Sequence, residues 1–151
     1  MSWTGVELGV TAVHLISTLF MAGLIWFVQI VHYPLFADVA PESFRDYHAR
    51  HTARTGRVVA LPMIAEAASA LALPFVVHDE AARAASVVAL ALLAIVWLST
   101  GLVQAPAHHR LARGFDAGLI RRLTVGNWIR TLAWSLRVPL AVQIALRDGL
   151  T

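Results

Sequence analysis

Gln29-Ile30-Val31-His32-Tyr33-Pro34 and, after a short polar passage, Tyr47-His48-Ala49-Arg50-His51 form the stretch on which the reading of this chain turns. Before it lies a long apolar segment; after it begins a polar helix that carries histidine and arginine. A hydrophobic run that closes on histidine, tyrosine and proline reads as a membrane crossing arriving at its interface, where amphipathic side chains settle. Gln29 and His32 are three apart, as are His48 and His51, so each pair is placed to share one helical face.

Composition points the same way. Of 151 residues, 58% are hydrophobic and 14% charged, with a mean hydropathy of +0.68. A soluble domain carries about 25% charged residues, and several runs here approach the roughly 20 residues needed to cross a bilayer. The chain reads as one integral membrane domain, with no room for a separate soluble catalytic module. Its first residues, Met1 to Glu7, lack the basic region of a cleaved signal peptide, so the first apolar segment is expected to remain as a span. The absence of cysteine excludes disulfides, thiolate ligands, cysteine-held clusters and a cysteine nucleophile. All twelve basic residues are arginine, and they follow membrane topology rather than nucleic-acid binding.

The first span covers about residues 8–33, and before His32 its polar side chains are Thr11, His14, Ser17, Thr18 and Gln29. Pro34, unable to donate a backbone hydrogen bond, should kink or end it. Pro41 and Glu42 suit a helix's first turn. Phe44, Tyr47, His48 and His51 recur at three- and four-residue spacing among charged residues, the pattern of an amphipathic interfacial helix. The second span covers about 57–77 and contains Pro62, Glu66 and Pro74; the third covers about 84–105. A basic loop over 111–122 leads to a fourth span, about 125–146, carrying Asn127, Arg130, Arg137 and Gln143. The expected fold is therefore all-α: a four-helix transmembrane bundle, up-down-up-down, with the amphipathic helix between spans one and two. Arg45, Arg50, Arg54, Arg57, Arg110, Arg113, Arg121 and Arg122 fall on one side, against Arg83 and Arg147 on the other. The positive-inside rule then places the two basic connections in the cytoplasm and both termini outside, in a membrane of the bacterial inner type.

Folding the spans back and forth gathers Gln29, His32, His48, His51, Gln104, His108, His109, Asn127 and Arg130 at the cytoplasmic end. Five of the seven histidines lie there. Neutral imidazole suits iron, copper or zinc, and amides can complete the shell; solvated interfacial histidines give the plainer reading. Glu66 lies mid-span, where a carboxylate costs at least ~2.5 kcal/mol, so it should face inward toward a partner. Depth along the helices leaves Arg130 and Arg137 as alternative partners in a structural ion pair, with a proton relay or a metal ligand as the functional readings of Glu66.

Gln104-Ala-Pro106-Ala-His108-His-Arg-Leu111 and Asn127-Trp128-Ile-Arg130-Thr bring a resemblance. Over the last third of the chain they resemble the anthrone-oxygenase-like family of small four-span membrane proteins. There a Pro-x-Asn-x-x-Leu-type element ends the third helix and a Trp/Asn/His-x-x-Arg element opens the fourth. His108 stands where that pattern usually has asparagine. The resemblance implies a membrane oxygenase acting on a lipophilic aromatic such as an anthrone; His108, with His48 and His51, points instead to metal-dependent chemistry.

The expectation is thus a membrane-embedded oxidoreductase of oxygenase type, acting on a lipophilic small molecule. His32, His48, His51 and His108 are the candidate ligands of an iron or copper ion. Gln29 and His109 are candidate cofactor-binding residues, and Glu66, Arg130 and Asn127 would handle protons or substrate polarity. Two alternatives stand beside it: a haem protein with two axial histidines, and a small transporter or accessory subunit with a structural Glu–Arg pair.

Overall fold

The computed structural model describes residues 5–149, and these form an all-α molecule. Helix α1, Gly5–Phe27, passes without a break into a π-helical turn, Val28–His32, and then a 3-10 turn, Pro34–Asp38. The wide turn is explicit in the backbone, where the Tyr33 N–H donates to the Val28 carbonyl at 3.0 Å. Pro34 takes the first position of the 3-10 turn, where a missing N–H costs nothing. The proline therefore changes the pitch of the rod, and helical structure continues to Asp38.

Helix α2 runs from Pro41 to Val76 with Pro41 in its first turn. At 1.5 Å per residue it is about 54 Å long, well beyond a hydrocarbon core of about 30 Å. The expected interfacial helix and second span are thus one continuous rod. Pro62 and Pro74 lie inside it without interrupting it. Helix α3, Glu80–Ser99, starts at Asp79, whose carboxylate accepts from the Ala82 N–H at 2.8 Å. A second π turn, Thr100–Gln104, leads into α4, Ala105–Leu111.

The segment expected as a basic loop is partly helical. Gly114 reverses the chain at φ 150°, a conformation that side-chain-bearing residues rarely adopt. Asp116 then caps α5, Ala117–Gly126, by accepting from the Leu119 N–H at 2.8 Å. Asn127 joins α5 to α6, Trp128–Gly149.

Side-chain pairs give the register. Glu7 pairs with His78, His14 with Ser69, Thr18 with Glu66 and His32 with His51, so α1 and α2 run antiparallel along their whole length. Trp26 with Ser135 and Gln29 with Asn127 set α6 antiparallel to α1. Arg130 with Thr100 and Arg137 with the Ala89 carbonyl do the same for α6 and α3. One end of the molecule therefore carries the α1–α2 and α3–α6 connections, and the other carries the α2–α3 turn.

Three rods are long and apolar enough to cross a membrane: Gly5–Asp38, Pro41–Val76 and Glu80–Leu111. Their outward faces are apolar too, as with Leu61, Leu102 and Phe75, the last 86% exposed. This inversion of the soluble pattern suits a lipid surroundings. Helix α6 is not one of the three, because Arg130, Thr131, Ser135, Arg137 and Gln143 break its apolar character.

Candidate functional site

The two π turns stand at the same end of the molecule and flank the histidines. Such wide turns occur mostly as single insertions in α-helices and frequently at functional sites, since they shift the register of the side chains that follow. In the first of them, Gln29 is buried toward α5 and its Asn127 junction with α6, while His32 reaches α2. The pair expected to share one face is split between two neighbours.

On α2, Phe44, His48 and His51 follow at helical spacing and all three are buried. His32 Nε2 lies 2.7 Å from His51 Nδ1, and the Thr55 hydroxyl lies 3.1 Å from that same nitrogen. His48 Nε2 lies 3.0 Å from His108 Nδ1, and His108 Nε2 lies 3.0 Å from the Tyr33 hydroxyl. Ring centres are 4.5 Å apart for His32 and His51, 5.2 Å for His48 and His108, 5.8 Å for His51 and His108, and 6.0 Å for His48 and His51. Fully buried Phe36 sits among all four imidazoles, its ring steeply inclined to each. Phe44 stacks on His48. The four histidines expected to converge do so, on an aromatic floor.

The network continues inward. Arg130 Nη2 donates to the Tyr33 hydroxyl at 3.2 Å, and Arg130 Nε donates to Asn127 Oδ1 at 2.9 Å. Asn127 Nδ2 donates to Gln29 Oε1 at 2.9 Å, and Gln29 Nε2 closes the chain on the Thr124 carbonyl at 3.1 Å. Imidazole, phenol, guanidinium and two amides are thereby linked in one series that ends on backbone. Buried polar groups held this way keep their geometry.

A cavity of about 660 Å³ opens beside this series, within the size range of small-molecule sites. Met21, Leu24, Ile25, Val28, Val59 and Met63 make its apolar wall. Tyr33, His48, His51, Gln104, His108 and Arg130 face it at the polar end, and exposed His109 stands at its edge. Gln29, His32 and Asn127 lie behind that lining. Of the side chains that line it, His48 Nδ1 and both polar atoms of the Gln104 amide are buried without a hydrogen-bond partner.

Glu66 belongs to a separate cluster. It is completely buried and pairs with Arg137 at 3.0 Å. The Thr18 hydroxyl donates to it at 3.0 Å and the Trp134 indole N–H at 3.0 and 3.2 Å to its two oxygens. Of the two arginines open to it, Arg137 takes Glu66 and Arg130 turns to Asn127 and Tyr33. Trp134 is the divider, with its indole nitrogen on Glu66 and its ring on the cavity wall.

Sequence reasoning passed over Tyr33, Thr55 and Trp134. Tyr33 was visible beside His32 in the boundary motif, and Trp134 lies one helical turn before Arg137. As they stand, no three His, Cys, Asp or Glu side chains among the described residues form a ready metal-ligand set. The imidazole nitrogens meet each other in pairs. Comparison with family models, curated proteins and solved structures gives no match.

Proposed function

We propose that the chain is a membrane-embedded oxidoreductase of oxygenase type, in which His48, His51 and His108, with His32 behind His51, hold an iron or copper ion at the polar end of a cavity for a lipophilic substrate. The observation that carries this reading is the spacing of the imidazoles. Two imidazole nitrogens bound to one ion at about 2.0–2.1 Å lie about 2.9–3.4 Å apart, with ring centres about 4.5–5.2 Å apart, at angles of about 90–109°, and about 4.1 and 6.4 Å apart when opposite each other. The ring pairs among His48, His51 and His108, at 5.2–6.0 Å, and the His32–His51 pair, at 4.5 Å, fall between these limits, and the paired nitrogens at 2.7 and 3.0 Å lie near the lower end. Small ring rotations, rather than backbone movement, would turn facing nitrogens toward a shared centre.

A bound iron or copper would supply redox chemistry, and the chain's own groups supply the rest. The Tyr33 hydroxyl orients the His108 ring by holding its far nitrogen, the role that outer-shell partners play at metal sites. Phe36 and Phe44 fix the ring planes and keep water from the rear. The apolar wall would exclude water from a substrate drawn from the membrane. The same arrangement suits the oxygenase chemistry implied by the anthrone-oxygenase-like resemblance. Haem is the weaker alternative, because imidazoles whose nitrogens lie 2.7–3.0 Å apart leave no slot for a macrocycle between them.

The membrane setting belongs to the same proposal. Helix α6 would be the fourth crossing, tolerated because its polar residues face inward, with the basic connections in the cytoplasm.

Elemental analysis and absorption spectroscopy of detergent-purified protein test the reading. The parent protein should hold iron or copper, and His48→Ala, His51→Ala and His108→Ala should each lose it. His78→Ala, at the opposite end, should retain it. Metal content should also fall on acidification, since protons compete for the imidazole lone pairs. A parent protein without metal when grown with iron and copper would leave the histidines as a hydrogen-bonded network and remove the oxygenase reading.

A further inference from the structure

Arg130 is buried to 9% exposure, yet no carboxylate among the described residues lies within ion-pairing distance of its guanidinium. Its partners are neutral: the Asn127 amide oxygen, the Tyr33 hydroxyl, and the Thr100 hydroxyl at 3.4 Å from Nη1. A buried cation in a membrane-spanning protein ordinarily has an anion beside it, because the desolvated charge is costly alone. Arg130 also lines the cavity. So does Gln104, which is 1% exposed and whose amide has an unused oxygen and an unused nitrogen. Its Nε2 lies against Gly126, where a Cβ would stand 3.5 Å away, and both amide atoms are buried.

A cation without a counter-charge and an amide without a partner, lining one apolar cavity, describe the missing occupant. We propose that the cavity binds a lipophilic carboxylate, its head on Arg130 and Gln104 and its chain along Met21, Leu24, Ile25, Val59 and Met63. The Arg130 Nη1 group offers the charge-assisted donor, and Gln104 Nε2 adds a neutral one once the amide turns from Gly126 to the cavity. The head would lie beside His48 and His108, so the carbon next to it would be the part of the molecule nearest the proposed metal. This inference rests on reading the cavity as a substrate pocket, and it names the substrate's chemical class.

Binding of dodecanoate and of dodecan-1-ol to protein in zwitterionic nanodiscs tests it, with empty discs subtracted and a mildly alkaline buffer to keep the acid ionised. The measurement is made on chelator-treated and on metal-loaded protein. Dodecanoate should bind about tenfold or more tightly than the alcohol in both forms, the discrimination that one charge-assisted hydrogen bond confers. Arg130→Gln should abolish that preference. Gln104→Leu should weaken the acid severalfold while leaving thermal unfolding unchanged, since no existing bond is lost, and so separates ligand loss from misfolding. Equal binding of acid and alcohol, or a preference that survives Arg130→Gln, would overturn the proposal. A preference that vanishes on chelation and returns with metal would also overturn it, placing the anion on the ion and leaving the metal reading intact. A preference kept by protein that never takes up metal would uphold the carboxylate site and remove the metal.

Discussion

Arg130 and Arg137 stand two turns apart on one face of α6, both buried, and their surroundings differ in kind. Arg137 meets the Glu66 carboxylate at 3.0 Å, the Ala89 carbonyl, and the Thr18 hydroxyl at 3.4 Å. Glu66 in turn has Thr18 and Trp134. Charge is balanced, most donors have acceptors, and the partners come from α1, α2, α3 and α6. Arg130 has neutral partners and an open cavity in front of it. The first arrangement ties four helices together; the second leaves interaction capacity unused. What separates the two is the counter-charge: Arg137 has one in Glu66, although its Nε is left without an acceptor, and Arg130 has none among the described residues.

The contrast predicts a large stability effect at the deeper arginine. Arg137→Met strands the Glu66 carboxylate in a site with no exposure, and breaking a buried pair from one side typically costs about 3–5 kcal/mol. Thermal or denaturant unfolding in detergent measures it. Glu66→Leu combined with Arg137→Met should recover most of the loss, because no charge is left unpaired. If Arg137→Met unfolds like the parent protein, the deep cluster does not fasten the fold.

Trp134 comes next. Trp134→Phe keeps an aromatic ring on the cavity wall but removes the indole N–H that Glu66 accepts. A hydrogen bond to a charged group is worth about 1.5–3 kcal/mol, and the double variant Trp134→Phe with Glu66→Leu should cost much less than the sum of the two. Additive losses would mean that the indole stabilises by packing alone.

How far the sequence carried this picture depends on which physical quantity each feature needs. Depth along a helix is readable from 1.5 Å per residue, so the gathering of His32, His48, His51 and His108, and the need of Glu66 for an arginine, were legible. Rotation about the axis is not readable to the same accuracy, and it decides between Arg130 and Arg137. The π turns at Val28–His32 and Thr100–Gln104 were invisible because composition does not distinguish a wide turn from an α turn. Packing selects between them, and they redirect Gln29 and place Gln104. Continuity of α2 was hidden by a change from polar to apolar composition that leaves the backbone helical throughout. The start of α5 had its signal in Asp116, a good capping residue three before Leu119, obscured by the surrounding arginines. That Gln104 lacks a partner is a statement about its neighbours, and no sequence pattern encodes it.

The smallest effect is expected at Arg130, and its smallness is informative. Arg130→Met removes hydrogen bonds to Asn127, Tyr33 and Thr100 but also removes a buried cation that no acid among the described residues balances. Hydrogen bonds donated by a charged group are worth about 1.5–3 kcal/mol each. Relief of the unbalanced charge opposes their loss, so the net change should be about 1 kcal/mol or less, well below that of Arg137→Met. The two variants therefore bracket the comparison, in the same helix and with the same substitution. Unfolding should be followed with and without dodecanoate in both. The parent protein should be stabilised by the ligand through mass action, and Arg130→Met should show the same curve with and without it. A loss at Arg130→Met as large as that at Arg137→Met would mean that the shallower arginine also fastens the fold, and that its missing counter-charge lies within the chain.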